Sequence, residues 1–289
     1  MKIYLKIIII ISILFVSIIL VKFVHVTSGV SFFIIGMFLI MYFGFVKEKI
    51  KLYHETSIKE IPYNIAFVSG VVGDVKTFNI PKLPSKYHSY WITNNIKLAK
   101  TAKIKGWNSI VINLPNCPID MNPSIYWALQ SKKIKVFPQK YLPNDYDFVV
   151  WSDNTFEVNN NGVIKHIQNW DNQNAVVFHK HPFLCCGADI ELTESLKQKR
   201  YLLQKQKIDT YINEEVNKGF PVNGERHFQA GFIIYNIKHN MCSFFQETWI
   251  KHINRCGIQD QISLYFVVQR FSILVGEFKD SICKNQICP

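Results

Sequence analysis

Asp153 is the residue of this chain with the clearest chemical potential. It closes the stretch YDFVVWSD (146–153), in which apolar and aromatic residues typical of a buried strand run directly into a carboxylate. A carboxylate held at a rigid strand end is a suitable ligand for a hard divalent cation such as Mn²⁺ or Mg²⁺. The alternative is an ordinary Asp-Asn turn, formed with Asn154, that only ends the strand.

Two histidines form a second candidate pair. His179 and His181 flank Lys180, so in a strand both imidazoles would point to one side and the lysine to the other. Such a pair can ligate a metal or contact phosphate oxygens. Structural histidines that serve only packing are the alternative.

Polar residues also follow other apolar runs. Asp74 comes shortly after one segment that reads as a strand, and Asn94 lies in the polar end of another. Open α/β sheets bind ligands outside the carboxyl ends of their strands, so these residues join Asp153, Asn154, His179 and His181 as a predicted binding edge for a phosphate-bearing ligand.

A third group lies nearer the C-terminus. In HFQAGFIIYN (227–236), Gln229 and Gly231 stand at a strand start, where small residues allow a sugar or nucleotide to approach the backbone; a plain loop entering a strand is the alternative. In GIQDQIS (257–263), Asp260 and Gln261 stand at a predicted helix start. Asp260 is either a helix cap or a catalytic carboxylate that accepts a proton from a hydroxyl group.

The elements that must position these residues alternate between strands and helices. Short apolar runs bounded by polar residues predict strands at 64–70, 87–95, 108–115, 147–154 and 174–182. Segments 95–104 and 124–134 have helical spacing. Continuous apolar strands alternating with helices indicate an α/β domain with a mostly parallel sheet.

The remainder is predicted to be richer in helix. The pattern indicates one long amphipathic helix over 189–219 that ends at Gly219, then a strand at 230–237 and a final strand at 271–278. Two further helices are predicted between these strands, at 242–256 and 260–270.

The N-terminal segment predicts a membrane anchor. Residues 7–21 and 30–46 carry no charge, and each run is near the roughly 17–25 residues that cross a bilayer as a helix. We expect residues 1–51 to form two transmembrane helices (about 5–24 and 29–46), followed by a linker over 52–61. Lysines on both outer flanks favour a cytoplasmic domain; a luminal domain follows if only one helix crosses.

Charge and cysteine content limit the kinds of ligand and partner that we expect. The formal net charge is +12, of which residues 52–289 carry +7, since residues 1–51 hold six lysines and one glutamate. This balance suits an anionic ligand or membrane surface, and the chain lacks the basic blocks typical of nucleic-acid binding. Seven cysteines without regular spacing argue against a disulfide framework or a structural zinc site.

Several of these segments occur together in an order seen in one family. They are KVFPQKYLPNDYDFVVWSDNTFEV, HKHPFLCC, YINEEVNKGFP, QAGFIIYNIKHN, FFQETWIKHI and QDQISLYFVV. Over roughly residues 62–280 the chain resembles the glycosyltransferase-like family related to plant mucilage and Golgi proteins. The resemblance implies a single GT-A-like, Rossmann-like domain over 62–289 that transfers a sugar from a nucleotide donor to a hydroxyl group of a glycan, protein or lipid.

The resemblance also implies roles for individual residues. Asp153 stands where such enzymes carry the first acid of an Asp-x-Asp metal motif, and Asp260 where a late acid acts as base. Thr155 replaces the second acid of that motif, and Leu184 and Cys185 stand where an arginine is common. A membrane-tethered module of the same fold that binds nucleotide sugars or glycans without catalysis is the alternative.

Overall fold

The computed structural model describes residues 62–75, 80–81, 87–156, 159–181, 187–224 and 226–279. The predicted anchor (1–51), the linker (52–61) and the segment holding Leu184 and Cys185 lie outside these ranges. Among the described helices, none is both long and apolar enough to cross a membrane.

One mixed sheet organises the described residues. Its seven strands are β1 (Ile65–Gly70), β2 (His88–Thr93), β3 (Asn108–Val111), β4 (Phe148–Ser152), β5 (Val176–Lys180), β6 (Phe228–Asn236) and β7 (Val275–Phe278). Their order across the sheet is β3-β2-β1-β4-β6-β5-β7. Strand β6 runs antiparallel to both of its neighbours, and all other neighbouring pairs are parallel. The predicted α/β class and mostly parallel sheet are therefore confirmed.

Helices cover the sheet. Those described are α1 (Ile96–Ile104), α2 (Pro123–Val136), α3 (Asn160–Gln168), α4 (Ala188–Ser195), α5 (Lys199–Leu202), α6 (Lys205–Asn217), α7 (Cys242–Cys256) and α8 (Asp260–Arg270). The four predicted helices that correspond to α1, α2, α7 and α8 are confirmed. Asparagine side chains cap the first two: Asn95 accepts from the backbone N–H of Lys97, and Asn122 from that of Ser124, just after a proline at the first helical position.

The prediction of one continuous helix over 189–219 is wrong. This segment forms α4, α5 and α6 with breaks between them. Tyr201 is buried between two breaks, and the side-chain oxygen of Gln204 accepts a hydrogen bond from the backbone N–H of Ile258 at 2.8 Å. These tertiary contacts bend a segment whose helical periodicity is continuous. The predicted end is confirmed, because Gly219 follows α6 with a φ of +89°.

Two smaller differences concern α3 and β7. Helix α3 was not anticipated from the sequence; the side chain of Asn159 caps it by accepting from the backbone N–H of Gly162 at 3.2 Å. The last strand begins at Val275, later than predicted, because residues 272–274 form a 3₁₀ turn.

A buried tryptophan connects the sheet to the start of α8. The Trp249 ring on α7 meets the Phe178 ring of β5 edge to face, with 5.8 Å between their centroids. Its indole N–H also donates to the Ser263 hydroxyl in the first turn of α8 at 3.2 Å. Since all three side chains are completely buried, the position of Asp260 relative to the sheet is fixed by the core.

Candidate functional site

The strand order locates a crevice at the sheet edge. From β1 the chain proceeds to β2 on one side, whereas β4 pairs with β1 on the other. Ligands of open α/β sheets bind at the carboxyl ends of the strands that flank such a switch point. Asp153 directly follows β4 and therefore stands at this crevice.

Local hydrogen bonds fix the Asp153 carboxylate. Trp151 lies two residues earlier on the same side of the strand, and its indole N–H donates to Oδ1 of Asp153 at 2.7 Å. The backbone N–H of Asp153 donates to the carbonyl of Gly231 at 2.7 Å, and its carbonyl accepts from Phe156 at 3.0 Å. Contacts with β4, β6 and the following turn thus orient the carboxylate, while a third of the Asp153 side chain remains exposed.

Helix α2 presents two lysines to this carboxylate and to Asp260. Lys132 and Lys135 are three residues apart and therefore share one helix face. The ammonium group of Lys135 lies 3.1 Å from Oδ2 of Asp153 and 3.0 Å from Oδ2 of Asp260, and that of Lys132 lies 2.6 Å from Oδ1 of Asp260. The hydroxyl of Tyr235 on β6 donates to the carbonyl of Lys135 at 3.1 Å and holds the end of α2 over the sheet.

The charge states of this network follow from burial and pairing. Burial opposes ionisation of Asp260, but the charges of Lys132 and Lys135 outweigh it and hold the pKa of the carboxyl well below its usual range. Burial likewise opposes the charge of Lys135, yet Asp153 and Asp260 raise its pKa above the ordinary value. For Lys132, burial prevails and lowers the pKa. Asp260 is therefore ionised and a weak base.

The network lines one wall of a cleft of about 720 Å³. Of the residues singled out in the sequence, those that line it are Asp153, His181, Gln229, Gly231, Asp260 and Gln261. The two carboxylates come from positions more than a hundred residues apart and share one ammonium group. The structure thus brings together six of the ten predicted site residues.

Four predicted residues are not among those that line the cleft. Asn154 lies in the turn after Asp153, and Asp74 and Asn94 lie near the carboxyl ends of β1 and β2. Asn94 accepts from the backbone N–H of Gly73 at 2.8 Å. His179 remains within β5, beside an irregularity in the pairing with β6, so only the second histidine of the predicted pair reaches the cleft.

A buried polar cluster forms another wall. Oε1 of Glu191 on α4 accepts from the Gln259 amide at 2.8 Å, and Oε2 lies 3.5 Å from Nε2 of the completely buried His227 and 4.0 Å from Nε2 of His181. Burial lowers the pKa of His181 to about 4, so its ring is neutral at pH 7. Glu191, Gln259 and the α2 lysines were not predicted from the sequence, although the spacing of Lys132 and Lys135 was a usable signal.

The structure gives a different reason from the predicted one for a glycine at position 231. A methyl group at its Cα would overlap the ring of Phe156, which packs against the backbone there. The absence of a side chain at Gly231 therefore leaves room for Phe156 and for the turn that carries Asp153. Gly231 also lines the cleft, as predicted.

The donor set does not fit a divalent cation in the predicted manner. Both oxygens of Asp153 accept hydrogen bonds from the protein, and the ammonium group of Lys135 lies between the carboxylates of Asp153 and Asp260. No three His, Cys, Asp or Glu side chains in the described ranges are grouped so that they could hold a metal ion. Thr155 offers a hydroxyl where a second hard carboxylate would be needed.

Comparisons with known proteins give structural neighbours only. No family model matches the chain, and no curated protein matches it. Among solved structures, the fold is similar to apo mouse xyloside xylosyltransferase 1, with a TM-score of 0.45 and 8% identity over 74% of this chain and 84% of that one. It is also similar to the bifunctional glycosyltransferase WbbM, with a TM-score of 0.37 and 11% identity over 76% of this chain and 39% of that one. At these values neither likeness carries a residue assignment across.

Proposed function

We propose that this chain is a glycosyltransferase that uses a nucleoside diphosphate sugar as donor and a hydroxyl group as acceptor. The observation that supports this most directly is the convergence of Asp153 and Asp260 on one lysine in a cleft at the switch point of the sheet. The cleft volume of about 720 Å³ lies within the range of roughly 300–1,000 Å³ typical of small-molecule sites.

The composition of the cleft fits the two parts of such a donor. Ammonium and guanidinium groups from Lys132, Lys135 and Arg200 suit a diphosphate. Carboxylate and amide groups from Asp153, Gln229 and Gln261 suit the hydroxyl groups of sugars, which need both donors and acceptors.

The proposed reaction transfers the sugar in one displacement. The bond between the anomeric carbon and the β-phosphate oxygen breaks, and its electron pair stays on the departing nucleoside diphosphate. The acceptor oxygen bonds to the anomeric carbon, and the hydroxyl proton is released to solvent. Because Asp260 is held ionised with a lowered pKa, we assign it to orienting the lysines rather than to accepting this proton.

The acceptor and the location are parts of the same proposal. A glycan, a protein or a lipid can each present the hydroxyl group, and nucleic acid is not among the partners we propose. A membrane anchor at residues 1–51 would tether the domain to the membrane, on the cytoplasmic face with two helices or the luminal face with one.

A donor screen with the full-length chain tests the proposal. Release of nucleotide from UDP, GDP, CDP and ADP sugars is measured for the wild type and for Asp153→Asn. We expect at least one donor to be turned over, and Asp153→Asn to reduce the rate about ten- to a hundredfold, which corresponds to a charge-assisted contact of roughly 1.5–3 kcal/mol. The matched change Asp120→Asn, at an exposed position that does not line the cleft, should leave the rate unchanged. Equal rates in both variants would contradict the assignment.

One observation favours a second function, a binding module without catalysis. All four carboxylate oxygens of Asp153 and Asp260 accept hydrogen bonds within the protein, which is an arrangement suited to a rigid binding surface. Thermal stabilisation by nucleotides, without nucleotide release from any sugar in the screen, would establish this alternative.

A further inference from the structure

We propose that Lys132 and Lys135, assisted by Arg200, bind the diphosphate of the donor in place of a divalent cation. This inference rests on the function proposed above and names how the cleft recognises its anionic ligand. It departs from the metal-assisted reaction that the family resemblance implies.

The first observation is the position of Lys135. Its ammonium group lies 3.1 Å from the carboxylate of Asp153 and 3.0 Å from that of Asp260, where a cation shared by two acids would stand. The side chain is only 4% exposed, and the helix that carries it is fixed by the hydroxyl of Tyr235. The position is therefore built into the fold.

The second observation is the charge balance. Two ammonium groups on two carboxylates carry the same total charge as one divalent cation on the same two carboxylates. Lys132 and Lys135 thus supply the +2 that a metal ion would bring to Asp153 and Asp260. The lysine pair can offset the charge that develops on a departing diphosphate without any bound ion.

The third observation concerns unused donors. An ammonium group has three N–H donors. Within the described part of the chain, Lys135 uses two of them on the carboxylates and Lys132 uses one on Asp260. Both side chains line the cleft, so the remaining donors are available to phosphate oxygens.

Arg200 adds an uncompensated positive charge at the rim. Its guanidinium group donates to the hydroxyl of Tyr201 at 2.9 Å, and no carboxylate of the described residues pairs with it. The neighbouring Lys197, in contrast, is paired with Glu194 at 2.5 Å. A guanidinium group binds phosphate through two parallel hydrogen bonds, so Arg200 is suited to the second phosphate of the ligand.

Binding of nucleotides in the presence and absence of metal ions tests the inference. Calorimetry with the full-length chain measures the Kd of UDP, GDP, CDP and ADP in EDTA and in Mn²⁺ or Mg²⁺. We expect at least one nucleotide to bind in EDTA with a Kd within about twofold of its value with the metal. Binding that requires the metal would overturn the inference and leave the proposed function standing. If none of the four binds under either condition, both fail.

Matched lysine variants of α2 locate the contact. Lys132→Met should weaken nucleotide binding in EDTA about tenfold or more, the effect of losing one charge-assisted hydrogen bond. Lys133→Met removes an exposed lysine from the same helix, one residue away, and should not change the Kd. Equal Kd values for the two variants would overturn the inference.

Lys135→Met provides a separate readout. Removing this ammonium group frees one oxygen on each of Asp153 and Asp260, so Mn²⁺ should raise the melting temperature of the variant and not that of the wild type. A folded variant that does not respond to Mn²⁺ would contradict the substitution of lysine for metal. If the variant does not fold, Arg200→Met, at an exposed position, gives the test instead: an unchanged Kd in EDTA would count against the inference.

Discussion

Replacing Asp260 with asparagine should destabilise the protein substantially. The side chain is 4% exposed and accepts from Lys132 at 2.6 Å and from Lys135 at 3.0 Å. Asparagine keeps the size of the side chain and removes its charge. Of the carboxylates in the described part of the chain, only that of Asp153 would then still be paired with these two ammonium groups.

The magnitude follows from the cost of an uncompensated buried charge. Removing one partner of a buried ion pair typically costs about 3–5 kcal/mol. We expect about 3 kcal/mol, at the lower end, because Lys135 keeps its contact with Asp153 and the side chain of Lys132 is 16% exposed. For a domain of this size, that loss corresponds to a fall in melting temperature of roughly 6–12 °C.

Urea unfolding of the full-length chain at pH 7 is the assay. A double-mutant cycle with Lys132→Met separates the pair from other effects, since removing the lysine relieves part of the unpaired charge. We expect the double variant to be more stable than the sum of the single losses by about 1–3 kcal/mol. A loss below about 1 kcal/mol in Asp260→Asn, together with additive single effects, would refute a buried network that holds Asp260 ionised.

Burial between two lysines changes what the activity of an Asp260 variant can show. If Asp260 were simply a catalytic acid at a helix start, its replacement would reduce activity and leave thermal unfolding intact. Since the carboxylate is instead buried between two lysines, a loss of activity in an Asp260 variant has to be separated from its loss of stability.

Two further predictions concern other parts of the domain. Gly231→Ala should destabilise the protein by about 1–3 kcal/mol in urea unfolding, because the added methyl group overlaps Phe156. Phe156→Leu in the same chain should recover part of that loss. Equal stability of Gly231→Ala and the wild type would count against this packing. His252 is 8% exposed and hydrogen-bonded to Tyr211; burial, reinforced by Arg270, lowers its pKa to about 4. The unfolded state therefore binds more protons than the folded state between about pH 4 and pH 6.5. Because of His252, the free energy of unfolding should rise with pH across that window, by about 1–2 kcal/mol once screening by solvent is included. His252→Gln should reduce the slope of the free energy of unfolding against pH, and an unchanged slope would refute this role of His252.

The sequence predicts the elements best where local pattern and burial agree. Helices α7 and α8 have the predicted bounds because their apolar spacing is continuous and Gly257, with a φ of +105°, separates them. The prediction for the segment 189–219 is wrong for the opposite reason. Its spacing is equally continuous, but the buried Tyr201 and the contact of Gln204 with Ile258 break it, and no local pattern reveals such contacts.

The candidate site shows the same division. Asp153 was predicted at the sheet edge because parallel strands deliver their carboxyl ends together. Gln229 and Gly231 stand at the start of β6, and they reach the same edge because β6 runs antiparallel to β4. No pattern of this kind connects Lys135 to Asp260, which lie 125 residues apart. A lysine on a helix ordinarily points to solvent, and only the packing of α2 across the sheet brings this one between two carboxylates.

Thr155 acquires a different meaning in this arrangement. Taken alone, the absence of a second acid two residues after Asp153 resembles the loss of a metal site and of catalysis with it. In the fold, Asp260 supplies a second carboxylate from α8, and Lys132 and Lys135 supply the positive charge. The charges that a metal-dependent transferase assembles from two acids and an ion are therefore present here in side chains alone. A cleft built this way can keep the electrostatic requirement of sugar transfer while losing the metal motif, so the missing acid does not by itself favour the binding module over the enzyme.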